Sequence, residues 1–72
     1  MQFVPLPKHR EKLGESLRYY RKRVGLSQEK LAEKAELSTV FISHIERGAE
    51  NVSVDALARI TKALGIQLRD LF

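Results

Sequence analysis

The sequence predicts an all-α fold: a compact domain of five short helices with a central helix-turn-helix. Three features lead to it. Apolar residues recur at spacings of three and four, and no stretch alternates at period two. Serine heads three of the apolar stripes (Ser27, Ser38, Ser53) and glycine ends three (Gly25, Gly48, Gly65), the residue types that cap helices at those ends. The connections between stripes are only a few residues long.

Pro5 and Pro7 in "FVPLPK" should keep the first seven residues out of a helix. Residues 1–7 are therefore expected to form an N-terminal arm and 8–72 the folded domain. Leu13, Leu17, Tyr20 and Val24 follow at spacings of 4, 3 and 4, which predicts a first helix over about 8–24. Ser27 caps a second helix, 28–35, with Leu31, Ala32 and Ala35 on its inner side. Ser38 caps a third, over 38–47, with Phe41, Ile42 and Ile45 inward. "AENV" is a loop, and Ser53 caps a fourth helix carrying Leu57, Ile60 and Leu64. "IQLRDLF" is expected to add a fifth helix of one or two turns, with Leu68, Leu71 and Phe72 apolar.

Composition narrows the function classes. Seventy-two residues make one small domain, which buries only roughly 60% of its unfolded surface. The absence of cysteine excludes disulfides and thiolate metal sites. No apolar run approaches the ~18 residues of a membrane span, and the N-terminus lacks a signal-peptide pattern, so the cytoplasm is the expected compartment. The two histidines, His9 and His44, lie on different helices, and Asp55 and Asp70 are the only aspartates. No paired-carboxylate or Cys/His spacing and no glycine-rich phosphate loop stands out, so neither an enzyme, a metal, a cofactor nor a small-molecule ligand is expected. The net charge of +4 is uneven: residues 1–23 carry +5, 24–51 carry −2 and 52–72 carry +1. A basic excess confined to one third of the chain suits a polyanionic partner; the plainer reading is a solvated helix face.

The second and third helices are joined by only about three residues, so they must cross steeply, and Ala32 and Ala35 permit the approach. The third helix also has an outer face: Thr39, Val40, Ser43, His44 and Arg47. It carries no acid, whereas the second helix shows the alternating Glu and Lys of an ordinary solvent face, "EKLAEK". Short polar side chains can bond base edges, Val40 can pack on a thymine methyl, and Arg47 can reach a phosphate or a guanine. This favours the major groove of duplex DNA.

The stretches "GLSQEKLAEKAELS", "ISHIERG" and "LARITKALGI" together resemble the Xre/lambda-repressor-like, or Cro-type, helix-turn-helix transcriptional regulators over about 13–72. "FISHIERGAENVSV" is similar to the small restriction–modification controller proteins within that group. The resemblance implies a sequence-specific double-stranded DNA-binding regulator, a repressor or an activator. Gln28 would meet a phosphate at a helix N-terminus. Ser38, Thr39, Val40, Ser43 and His44 would lie in or at the start of the recognition helix. Arg47 and Asn51 would hold the DNA backbone. Arg21 and Glu46 would form an internal ion pair. Two departures stand out: Glu36 occupies a turn position usually held by glycine, and the glutamines of phage recognition helices are absent. A homodimer on a palindromic operator is expected, with Leu68 and Phe72 at its interface. Tyr19 is a further interface candidate. The alternative is a protein-binding module of the same fold, an antitoxin or an adaptor, associating through Leu68 and Phe72.

Overall fold

Four α-helices follow one another: α1 (Leu6–Arg23), α2 (Gln28–Ala35), α3 (Thr39–Glu46) and α4 (Val54–Leu64). The computed structural model describes the backbone of residues 6–72 and the side chains of 10–72. The serines act as caps. Ser27, Ser38 and Ser53 are all extended, and their side-chain oxygens accept the N–H groups of Lys30, Phe41 and Ala56 at 3.0, 3.0 and 3.1 Å. Each bond satisfies a donor that the first turn of a helix leaves without an intrahelical partner.

Three expectations need correction. The fifth helix is not formed: Leu68–Leu71 is a 3-10 turn. Gln67 is extended and its N–H donates to the Asp70 carboxylate at 2.9 Å, while the Asp70 N–H donates to the Gln67 carbonyl, closing an i→i+3 turn. These reciprocal bonds close the segment at i→i+3 spacing, the tighter winding used in short pieces. At the other end, α1 already includes Leu6 and Pro7, so the arm expected over 1–7 is shortened, and its residues 1–5 lie outside those described. Proline is accepted there because the N–H it lacks has no partner in the first turn. Finally, α1 stops at Arg23 and Val24 is half exposed; Leu26, not Val24, packs against the core.

Leu13 and Leu17 of α1, Leu31 of α2, Ile42 and Ile45 of α3, Ile60 and Leu64 of α4, and Leu71 of the closing turn share one cluster. α2 lies against both α3 and α4, while α1 packs on α3. The 3-10 turn touches α1 and α4 and drops Leu71 into the centre.

Two backbone features set how α3 is held. Gly14, buried in mid-α1, lies against the C-terminal end of α3. A Cβ there would stand 2.5 Å from the Ile45 carbonyl oxygen and 2.7 Å from that of Glu46. At the other end of the motif, α2 terminates at Glu36 in the left-handed conformation, φ 59° and ψ 45°. The Glu36 N–H donates to the Glu33 carbonyl and the Leu37 N–H to the Ala32 carbonyl at 2.9 Å. That is the closing pattern glycine usually serves, and a residue with a Cβ stores about 1 kcal/mol there. The turn keeps its geometry without the glycine.

Candidate nucleic-acid interface

The outer face of α3 is built by elimination. Ile42 and Ile45 are buried and Phe41 packs against the core, which leaves Thr39, Val40, Ser43, His44 and Arg47 on the other side of the helix. Val40 is 62% exposed, a large apolar side chain held in solvent on a short helix. Arg47 leaves the C-terminus of α3, and its Nη1 donates to the Ser43 hydroxyl at 3.1 Å. That bond folds the guanidinium back along the outer face. Ser38 spends its hydroxyl on the Phe41 N–H, so its main role is to start the helix.

Glu46 is the one acid of α3, and it turns inward. Arg21, 8% exposed, donates from Nε and Nη2 to its two carboxylate oxygens, the second at 3.0 Å, and from Nη1 to the Leu26 carbonyl at 2.8 Å. The hydrogen bond to Glu46 holds the Arg21 pKa above its ordinary value, against the opposing effect of burial. The pair removes a carboxylate from the outer face and ties α1 to the end of α3. Gln28 joins it: its Nε2 donates to Glu46 Oε1 at 3.1 Å. The Gln28 side chain is thus anchored at the first residue of α2, where the backbone N–H groups of the first turn emerge.

The sequence reading leaves this face free of acids, and one acid from beyond the helix alters that. Glu50, in the loop after α3, brings its carboxylate to 3.4 Å from His44 Nδ1. A contact between a helix and its following loop has no signature in helical spacing. Asn51, in the same loop, accepts a hydrogen bond from Arg10 Nε at 2.9 Å. The sequence does not single out Arg10 either; it is separated from Asn51 by 41 residues. The only available signal was that Arg10 lies eleven residues, about three helical turns, before Arg21 on α1.

Away from α3, Leu68 is 43% exposed and Phe72 60%, while Leu71 between them is fully buried. Tyr19 is exposed too, stacked edge-on against Tyr20 with Arg23 over its ring. No group of metal-binding residues occurs among the described residues, and no helix there is long and apolar enough to cross a membrane.

A family model described as helix-turn-helix matches residues 17–71. The control protein C.BamHI of Bacillus amyloliquefaciens is 48% identical over 59 residues, covering 81% of this chain and 73% of the relative. Among solved structures, the restriction–modification controller protein C.AhdI from Aeromonas hydrophila superposes with a TM-score of 0.88 at 38% identity, covering 90% of this chain and 98% of the other. SinR, a master regulator for biofilm formation solved in complex with DNA, superposes with a TM-score of 0.79 at 33% identity, over 82% of this chain and 95% of SinR.

Proposed function

The chain belongs to the helix-turn-helix family, beside control proteins such as C.BamHI, and on that footing we propose that it is a sequence-specific transcriptional regulator that binds duplex DNA. The observation that carries the proposal is the outer face of α3. Thr39, Val40, Ser43, His44 and Arg47 lie opposite the core, and the one acid of the helix is turned into an ion pair behind it.

In this mechanism α3 enters the major groove. Thr39, Val40, Ser43 and His44 read base edges and thymine methyls, with Ser38 as the cap that starts the helix. Arg47 and the loop at Asn51 grip the backbone on one side. On the other, the N-terminus of α2 offers its free N–H groups to a phosphate, with Gln28 beside them. The Glu50 carboxylate rests on His44 at this face and must swing away from it when DNA binds. The regulator works in the cytoplasm.

One recognition helix touches only a few base pairs, so a lone domain of this size gains little discrimination. Two copies related by a two-fold axis would read half-sites about 34 Å apart, one turn of the duplex. The exposed Leu68 and Phe72 are the proposed self-complementary patch.

The test is a titration with duplex DNA at several salt concentrations. Log K is expected to fall linearly with log salt, by about 0.9 for each phosphate neutralised. A flat dependence would contradict the DNA reading. If association were instead salt-independent and lost on Leu68→Glu, a protein-binding module of the same fold would take its place.

A further inference from the structure

We infer that Arg10 is a phosphate-contact residue of the interface and that Asn51 acts through it, as the residue that positions its guanidinium. The inference rests on the DNA-binding reading above and assigns a new member to that site.

The bond from Arg10 Nε to Asn51 Oδ1, 2.9 Å, joins α1 to the loop after α3. Both backbones meet there. Gly48 has φ 74°, and a Cβ on it would lie 3.4 Å from the Glu11 backbone, so the turn at the end of α3 packs directly on α1 beside Arg10. Folding alone gives this bond little purpose, because it is exposed and neutral on one side. Its chemistry fits another role. Nε–H is one of the five donors of a planar guanidinium; engaging it fixes the plane and leaves the Nη groups to face a bidentate acceptor. Free arginine must give up side-chain entropy to hold such a pose, and Asn51 prepays part of that loss. An amide also orients without neutralising, whereas an aspartate at the same position would cancel the charge. The nearby acids do not perform that cancellation: Glu50 lies on His44, and Glu11 makes no ion pair with Arg10 among the described residues.

The experiment is a double-mutant cycle with Arg10→Ala and Asn51→Ala, read as affinity for a short duplex of mixed sequence over a salt series. Arg10→Ala is expected to weaken binding roughly tenfold and to reduce the log–log salt slope by about 0.9, one phosphate's worth. Asn51→Ala is expected to weaken binding several-fold in the parent and not at all in the Arg10→Ala background. Melting temperatures should stay the same in all four proteins, which a purely structural role for the bond would not allow. If Asn51→Ala costs the same factor in both backgrounds, Asn51 touches DNA itself and the positioning role is wrong. If Arg10→Ala leaves affinity and slope unchanged in a parent that binds, this inference fails alone. A parent that binds no duplex overturns it together with the proposed function.

Discussion

Arg21→Ala is expected to cost about 3 kcal/mol of folding free energy, a fall of roughly 12–24 °C in melting temperature. The whole stability of a domain this size is on the order of 4–10 kcal/mol, so the change would take a large share of it. The reason is what stays behind. Glu46 has a side chain only 4% exposed, and its two oxygens accept from Arg21 Nε and Nη2 and from Gln28. Alanine removes the two charged donors and leaves a carboxylate facing the core with one amide. It also strips the Leu26 carbonyl of its guanidinium partner. The double variant Arg21→Met, Glu46→Leu is expected to recover part of the loss, because it removes the buried charge together with its partner. Recovery should be incomplete, since Leu26 and Gln28 still lose theirs. The arginine side of the pair brings no pH sensitivity near neutrality. Its folded pKa is raised, so its contribution is fully present below the ordinary arginine value and is lost only above it. Thermal melts of the single and double variants check this. An unchanged melting temperature for Arg21→Ala would mean that the pair adds nothing to the fold.

Gly14→Ala should destabilise the domain by about 3 kcal/mol, opposite in sign to the usual gain of roughly 0.5–1 kcal/mol for that change inside a helix. A Cβ at Gly14 would meet backbone atoms: the carbonyl oxygens of Ile45 and Glu46 and the Glu46 carbonyl carbon at 2.9 Å. A side-chain tip could swing aside, but a helix end cannot. α1 and α3 would have to separate, which loosens the Arg21–Glu46 pair next to the contact. The urea midpoint should drop, and a midpoint at or above that of the parent would refute the close approach. Where both variants stay folded at low temperature, each should also weaken DNA binding, because each releases the C-terminal end of α3.

Much of this architecture is written locally. A serine before an apolar stripe and a glycine after it report events within one turn of chain, and Ser27, Ser38 and Ser53 all cap as expected. The outer face of α3 follows from helical spacing once Ile42 and Ile45 are assigned inward. The features that escaped are those decided by competition or by distance. Pro7 looks like a helix breaker in the sequence, although the first turn tolerates it. Val24 continued the stripe of α1 on paper, but the chain turns before it and Leu26 takes its part in the core. Residues 66–72 carry a helical apolar pattern, but the Gln67–Asp70 bonds close a 3-10 turn there that still buries Leu71. Gly14 stood between Leu13 and Leu17 with no local sign that a second helix would press on it. The Arg10–Asn51 and His44–Glu50 contacts link α1, α3 and the loop in space, which periodicity cannot report.

The central claim is that the outer face of α3 reads base sequence in duplex DNA. Selection of bound duplexes from a random pool, run in parallel for the parent protein and for Thr39→Ala, tests it most directly. The parent is expected to enrich a palindrome whose half-sites lie about 34 Å apart, one helical turn. Thr39→Ala is expected to keep that palindrome and lose preference at one base pair in each half, at a cost of about 1–3 kcal/mol for that position. A pool that shows no enrichment, or an enriched site whose every position is unaffected by Thr39→Ala, His44→Ala and Ser43→Ala, would contradict the claim.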